Sequence, residues 1–247
     1  MVDIIVLIKQ MPDLELIKPD PATGEPMVKN VQLRMETLSE NAVEAAVQIK
    51  EKRGGKVTAI IFGDAQSPAI MKKAYAMGVD EGFVITGYTG NNPYYTARVI
   101  SDKIGKIKHD VVIMGNQAAD SISGLLPGMI SRLIGAPLLG NAVSVDIENG
   151  IARVKRVLED RDVTISSKLP VVVSVTQESN QPRLPPVMQI LAAGRKPINT
   201  EKAAFPPEEY TGIISNKAPK SERKKIIFED IDKGVTEITK VLKEEMR

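Results

Sequence analysis

Short apolar runs rich in β-branched residues alternate with longer amphipathic stretches through the first 140 residues of the chain. Each run is almost entirely apolar, which is typical of strands that are covered on both faces. Strands that alternate with helices favour a parallel sheet flanked by helices. The predicted strands are residues 4–8, 57–62, 82–85 and 111–114.

Helical spacing and end signals predict four helices between and after these strands. The first helix has Thr37 and Glu40 at capping-box spacing and ends at Gly54-Gly55. The others are predicted over about 67–77, over about 94–104 and after the strand that ends at Gly115. A turn sequence at residues 20–24, Asp-Pro-Ala-Thr-Gly, predicts a hairpin between the first two strands.

The pattern changes after Pro137, where shorter strand-like runs follow one another. Asn149-Gly150 is a typical hairpin turn between the first two of them. Because no linker precedes these runs, we expect an added β-rich portion rather than an independent domain. Its predicted strands are residues 143–147, 151–157, 163–165 and 171–175.

The C-terminal part begins with a Pro-rich bend after Pro182 and a short helical piece. A polar, basic arm over 216–225 is expected to be solvated. A terminal amphipathic helix is then predicted, which packs either on its own domain or on another subunit. We therefore predict one α/β domain over 1–198 and a C-terminal arm with its helix over 199–247. The apolar face of that helix is Ile231, Val235, Ile238, Leu242 and Met246.

Composition excludes several kinds of chemistry. The chain has no cysteine and one histidine, so a disulfide, a thiolate nucleophile and a Cys-type zinc site are excluded. A catalytic triad or a multi-His metal site would depend on His109 alone, which is expected in a surface loop. We therefore predict neither catalytic nor metal-ligating residues.

Net charge and hydropathy limit the kinds of partner and the cellular location that are expected. Lys and Arg total 33 against 31 Asp and Glu, so the net charge of +2 gives no general attraction to nucleic acid or to an acidic membrane. No stretch approaches the roughly 18 to 20 apolar residues of a membrane span, and the first residues lack a signal-peptide pattern. A cytoplasmic protein is expected.

Four segments would project from the carboxyl edge of the predicted sheet, where ligands bind in open parallel sheets. Ser123 and free N–H groups at a helix start there would suit a phosphate. The chain has neither a GxGxxG motif nor a P-loop lysine motif, so phosphate binding and simple chain turning both stay open. Asp64 and Asp120 could equally be turn or cap residues. The segments are residues 7–9, 62–64, 115–120 and 121–128.

A series of short motifs, in order over nearly the full chain, resembles the electron-transfer flavoprotein β subunit family, called FixA in some systems. Most specific is Leu-Pro-Val-Val-Val-Ser-Val-Thr at 169–176, followed by Asn180-Gln-Pro-Arg183. The remaining matches are residues 6–9, 20–24, 41–46, 74–80, 115–120, 127–129 and 154–159.

The resemblance implies a Rossmann-like fold related to the adenine-nucleotide α-hydrolase group. It implies a heterodimer with an α subunit that carries the electron-transferring FAD, and therefore an electron carrier subunit rather than a stand-alone enzyme. It also implies a nucleotide pocket in this chain, filled by AMP in ordinary members and by a second FAD in electron-bifurcating ones. The implied pocket residues are Leu7, Lys9, Glu36, Ser39, Phe62, Gly63, Gly115, Gln117, Asp120, Ser123, Gly124, Leu125 and Leu126.

In this family, redox partners such as dehydrogenases or a quinone oxidoreductase dock on the loop that matches about 180–196. The implied partner-binding residues are Arg183, Val187 and Met188. A membrane would be reached only indirectly, through such a partner. The competing hypothesis is a stand-alone module of the universal-stress type that binds ATP as a homodimer. Such a module does not require an Asn-x-Pro-Arg segment, whereas this chain has one.

Three positions depart from the family pattern. Glu36-Thr37 replaces the usual Asn-Pro, and because a carboxylate beside a phosphate is unfavourable, Glu36 is expected to point away or to contact a hydroxyl. The phosphate loop offers a single hydroxyl, Ser123, so backbone N–H groups would supply most of the contacts. Val187 is a smaller side chain than family members usually have at the position that anchors redox partners. It indicates either a different partner or a buried Pro-rich turn.

Overall fold

A computed structural model describes residues 1–88, 90, 92–207, 212–219 and 225–246. Two compact units are present, a larger one of Met1–Lys18 with Met27–Ser215 and a smaller one of Pro19–Pro26 with Asn216–Arg247. The strands are β1 Ile4–Ile8, β2 Gln10–Pro12, β3 Lys18–Pro19, β4 Pro26–Met27, β5 Leu33–Met35, β6 Val57–Gly63, β7 Glu81–Thr86, β8 Val111–Gly115, β9 Leu138–Ala142, β10 Ser144–Glu148, β11 Ile151–Val157, β12 Asp162–Lys168, β13 Val171–Val175 and β14 Asn199–Lys202. The helices are α1 Thr37–Arg53, α2 Ser67–Met77, α3 Pro93–Ile104, α4 Leu126–Ile134, α5 Val187–Gly194 and α6 Ile231–Glu245.

A parallel sheet of seven strands, in the order β14-β7-β6-β1-β8-β13-β9, forms the centre of the larger unit. Successive side chains of β1 enter two different cores, because side chains alternate across a strand. Val6 packs in the core that α1 and α2 cover, and Leu7 packs in the core that α3 and α4 cover. This confirms the predicted α/β class with a parallel sheet flanked by helices.

The added β-rich portion is smaller than predicted. Strands β10, β11 and β12 form a separate antiparallel sheet, with the predicted hairpin turn at Asn149 and Gly150 (φ 52° and 75°). The segment 171–175 is indeed a strand, but its assignment to this portion is wrong, since β13 lies between β8 and β9 in the main sheet. All five residues of β13 are buried, as expected of a strand covered on both faces.

Strand β9 was not predicted. Its register against β13 shifts between Val173 and Val175, where Gly140 and Asn141 interrupt the apolar pattern. Such a bulge obscures the alternation that identifies a strand. The hairpin predicted at residues 20–24 is confirmed by the pairing of β3 with β4.

Helix α1 begins differently from the prediction. Its N-cap is Glu36, whose side chain accepts a hydrogen bond from the Ser39 N–H at 2.8 Å. The predicted Thr37–Glu40 capping box is therefore wrong, and Glu40 instead pairs with Lys73 at 2.5 Å. Glutamate at the N-cap gave no signal because Ser, Thr, Asp and Asn dominate that position.

The edge of the main sheet is completed by β14, which pairs with β7. Residues 199–207 and 212–215, which the sequence pattern grouped with the C-terminal arm, lie in the larger unit. The buried Lys103 secures this edge, because its ammonium lies 2.9 Å from the Glu201 carboxylate and 3.7 Å from the centre of the Phe83 ring.

In the smaller unit, α6 confirms the predicted amphipathic helix, capped by Asp230. Residues 216–219 and 225 of the predicted arm are exposed, whereas 220–224 lie outside the described residues. None of the described helices is both long and apolar enough to cross a lipid bilayer.

Candidate functional site

The carboxyl edge of the main sheet has a change of direction between β1 and β8. The chain runs from β1 outward through β6 and β7 and then returns to β8 on the other side of β1. Ligands in open parallel sheets bind at such a switch point. We call the residues around it, Lys9, Glu36, Ser39 and the segment 115–126, the β1/β8 junction.

A salt bridge joins the two loops of the junction. Lys9 Nζ donates to Asp120 Oδ1 at 2.6 Å, with 33% and 28% of the two side chains exposed. Both residues were predicted for the site, but their pairing was not. The sequence did carry a signal for this pairing, because residues of opposite charge follow two strands that are adjacent and parallel in the sheet.

On the β1 side, a set of hydrogen bonds connects the end of the strand to the start of α1. The Lys9 N–H donates to Ser39 Oγ at 3.0 Å, and the Glu36 N–H donates to the Lys9 carbonyl at 3.0 Å. Glu36 is 1% exposed, and its Oε2 accepts from the Ser39 N–H at 2.8 Å and from the Ser39 hydroxyl at 3.2 Å. The Glu36 carboxylate is therefore enclosed by protein and cannot meet an anion in solvent.

On the β8 side, Gly115 permits close packing of the loop on α1. A Cβ atom there would lie 2.7 Å from the Cβ of Leu38, so no other residue fits without displacement. Farther on, Ile122 and Gly124 have φ values of 47° and 60°, in the left-handed region. The exposed residues of this segment include Gln117, Ser123, Gly124 and Leu125.

Helix α4 begins at the end of this loop. Leu125 is its N-cap, and an apolar side chain cannot accept a hydrogen bond from the first turn. Pro127 lies in that turn and has no N–H to satisfy. The remaining first-turn N–H groups, with the exposed Ser123 hydroxyl before them, point to the type of helix start that accepts an anion.

The loop after β6 adjoins the same edge. Phe62 is buried in edge-to-face contacts with Tyr88 and Tyr95, at centroid distances of 5.4 and 5.7 Å. Gly63 leaves room for Ser67, whose hydroxyl would lie 2.2 Å from an added Cβ. Farther on, Gln10 Nε2 donates to Asp64 Oδ1 at 2.9 Å, a link between the β1 and β6 loops that the sequence analysis missed.

A groove of about 570 Å³ opens at the opposite edge of the sheet. Two of its charged side chains are engaged within the protein, since Arg53 donates to Asp146 at 3.1 Å and Asp110 accepts from the Asp3 N–H at 2.8 Å. Across the described parts of the chain, no group of three or more acidic or histidine side chains is arranged to hold a metal ion. The carboxyl edge is the better candidate for a ligand, because the switch in strand order and the open start of α4 both lie there.

A second region follows β13. Asn180 and Arg183 lie against α1, where Arg183 pairs with the buried Glu44 and with Glu51. Burial raises the pKa of Glu44, but hydrogen bonds from Arg183 and Gln48 outweigh it and hold that pKa below its ordinary value. Hydrogen bonds from Arg183 likewise lower the pKa of Glu51.

Beyond Arg183, Val187 and Met188 begin α5 and are 72% and 76% exposed. The alternative of a buried Pro-rich turn at Val187 is therefore wrong. Ile190 and Leu191 continue the exposed apolar surface at 52% and 61%. We call these four residues the α5 surface.

The sequence of the chain is similar to those of known proteins. Residues 28–206 match the family model of the electron transfer flavoprotein domain. The chain is 35% identical over 196 residues to the electron transfer flavoprotein subunit beta of Thermoanaerobacterium thermosaccharolyticum, covering 78% of this chain and 75% of that protein. It is 31% identical over 210 residues to the subunit of the same name from Mycobacterium tuberculosis, covering 80% and 78%.

A third relative is the CarD subunit of a caffeyl-CoA reductase–Etf complex from Acetobacterium woodii. It is 30% identical over 212 residues, which cover 83% of this chain and 81% of that subunit. Taken with the family match over more than half of the chain, these likenesses show that the chain belongs to the β-subunit family of electron transfer flavoproteins.

Proposed function

We propose that the chain binds an adenine nucleotide at the β1/β8 junction and acts as the β subunit of a heterodimeric electron carrier whose α subunit holds the FAD. The observation that carries the proposal is the Lys9–Asp120 bridge across the switch point, next to the exposed Ser123 and the start of α4. Ligands of this kind favour such a place in a parallel sheet.

The residues of the junction fit a nucleotide phosphate. Ser123 supplies a hydroxyl, Gly124 lets the backbone approach closely, and the first turn of α4 supplies N–H groups. Lys9 adds a partly exposed positive charge and neutralises Asp120. The buried Glu36 places no accessible negative charge beside them.

The rest of the nucleotide would lie among the other predicted residues of the pocket. Exposed Leu125, with Leu126 beside it, offers apolar contact to a flat ring. AMP is the favoured occupant, and a second FAD is the alternative. AMP would serve as a structural ligand, whereas a second FAD would supply another redox centre.

The α5 surface is proposed to dock a redox partner, such as a dehydrogenase or a quinone oxidoreductase. Contiguous exposed apolar side chains often mark protein interaction sites. One relative is named as a subunit of a caffeyl-CoA reductase–Etf complex, which supports an oxidoreductase as the partner. The exposed face of α6, including Ile231, Val235 and Ile238, is proposed to contact the α subunit. We infer a cytoplasmic carrier that recognises proteins rather than nucleic acid.

The nucleotide proposal is tested on the chain coproduced with its α subunit. Nucleotides released from the purified complex are identified and counted, and AMP is expected. Changing Ser123→Glu is expected to expel it, because the new carboxylate crowds and repels the phosphate. The matched control is Ser144→Glu, the same change at an exposed serine of β10.

Full nucleotide content in the Ser123→Glu complex would show that the ligand binds elsewhere. Two FAD per heterodimer would overturn the preference for AMP and leave the site in place. ATP bound to a homodimer, without any α subunit, would instead support the universal-stress type of function.

A further inference from the structure

All three nitrogens of the Arg183 guanidinium group donate hydrogen bonds within the protein. Nε and Nη2 donate to the two carboxylate oxygens of Glu44 at 2.8 and 3.0 Å, and Nη1 and Nη2 donate to Glu51 at 2.6 and 3.0 Å. The Arg183 N–H also donates to Glu44, at 3.1 Å. We call these three residues the Arg183 network.

Asn180 makes a second attachment to the same helix. The Asn41 side-chain amide donates to the Asn180 main-chain carbonyl at 2.8 Å, and the Asn180 side-chain amide donates to the Asn41 main-chain carbonyl at 3.0 Å. Asn41 and Glu44 are three residues apart and so lie on one face of α1. Asn180 and Arg183 have the same spacing, so the motif Asn-Gln-Pro-Arg is matched to that face at two points.

The other end of α5 is attached to α2 and the segment after it. Ala193 is 2% exposed and packs in the core beside α2. Lys196 Nζ donates to the Val79 carbonyl at 2.9 Å, and the Tyr75 hydroxyl donates to the Pro197 carbonyl at 2.8 Å. The α5 surface is therefore held between two polar attachments.

Turning the Arg183 guanidinium towards a docking partner would take its Nε and Nη2 donors away from Glu44, whose side chain is 4% exposed. A buried carboxylate without its partner is strongly unfavourable. We propose that Arg183 is a positioning residue that fixes the start of α5, and that Lys196 fixes its end. This inference rests on the proposed docking role of α5. A helix already fixed in place loses less conformational entropy when a partner docks.

The absence of cysteine from the chain permits a direct test. A single nitroxide label is attached at Val187→Cys or at Leu191→Cys in the complex with the α subunit, and its mobility is measured by electron paramagnetic resonance. Two changes are compared: the pair Arg183→Met with Glu44→Gln, and Lys196→Met. The paired change removes the buried charge together with its partner, so the fold is expected to persist.

The paired change is expected to raise the mobile fraction severalfold at position 187 and less at 191, whereas Lys196→Met should do the reverse. General loss of stability would instead loosen both labels alike. The control Arg161→Gln, which removes an exposed ion pair with Asp160, should change neither spectrum.

Labels that stay as immobile as in the parent complex, or that loosen equally in both variants, would overturn the positioning role. A label at 187 that is already mobile in the parent complex would also overturn it. The docking role is judged separately by electron transfer to a partner, so failure of one proposal is distinguishable from failure of the other.

Discussion

The β1/β8 junction and the Arg183 network both link segments that are far apart in the chain, but they use their polar groups differently. At the junction, Lys9 and Asp120 are each about a third exposed, and the first turn of α4 begins at an apolar N-cap. In the network, Arg183 meets a carboxylate that is almost completely buried. Polar groups left accessible at the junction suit a small ligand, whereas those of the network serve the protein's own structure.

The largest effect is expected where the network is broken. Arg183→Ala leaves the buried Glu44 charged and unpaired, so we expect the free energy of unfolding at neutral pH to fall by about 2–4 kcal/mol. Glu51→Gln is the matched control in the same network. Because the Glu51 side chain is 54% exposed, its loss should cost under about 1 kcal/mol. Urea denaturation of both variants measures the difference.

The Arg183–Glu44 pair also predicts that the stability of the protein depends on pH. The folded-state pKa of Glu44 is lowered, so its contribution to stability is present above its ordinary pKa of 4.5 and is lost as the pH falls through the folded value. The gap between the parent protein and Arg183→Ala should therefore narrow in acid, below about pH 4.5. A gap that is no larger than that of Glu51→Gln at neutral pH would contradict the dominance of the buried pair.

An intermediate effect is expected at the junction. Lys9→Met removes the bridge to Asp120 and leaves that carboxylate close to the proposed phosphate, so nucleotide affinity should fall about tenfold, equivalent to ~1.4 kcal/mol. Stability should change by less than about 1 kcal/mol, because the pair is partly exposed. Calorimetric titration with AMP after removal of bound nucleotide measures the affinity.

Lys56→Met is the matched control for the junction. Lys56, just before β6, and Glu81, the first residue of β7, form a bridge of the same length, 2.6 Å. Equal losses of affinity in the two variants would mean that the junction has no special role in nucleotide binding.

The sequence predicts the five central strands of the main sheet, β1, β6, β7, β8 and β13, because each contains a continuous apolar run of the kind that a sheet covered on both faces buries. The sequence predicts far fewer of the long-range hydrogen bonds and strand pairings that connect these segments. Asn41 and Asn180 are separated by 139 positions, and nothing in either local sequence specifies that they meet. The strand 171–175 was recognised from its composition, but its place beside β8 depends on a long-range pairing that periodicity does not encode.

The candidate site shows the same division. Loops after parallel strands must reach one edge of the sheet, so the approximate position of Lys9, Gly115 and Asp120 follows from chain order alone. The burial of Glu36 does not follow, because a glutamate N-cap is indistinguishable in sequence from an exposed carboxylate. The involvement of Gln10 gave no signal either, since a single glutamine after a strand is common in loops.

The smallest effect on stability is expected on the α5 surface itself, at Val187→Glu. This side chain is 72% exposed, so a charge there should change the free energy of unfolding by no more than about 0.5 kcal/mol. Electron transfer between the complex and a dehydrogenase partner should nevertheless weaken, because docking would bury the new charge without a counterion. Transfer to a small dye, which needs no docking surface, should be unchanged.

Val157→Glu provides the same substitution at another exposed apolar position, at the end of β11, where the side chain is 60% exposed. It should affect neither stability nor transfer to the dehydrogenase. A large loss of stability in Val187→Glu would mean that this residue supports the fold, and an unchanged rate with the dehydrogenase would place docking elsewhere. The free energy of unfolding and the rate of transfer to the dehydrogenase together distinguish two cases. In one, Arg183 holds α5 in place; in the other, the exposed residues of α5 are needed to keep it folded.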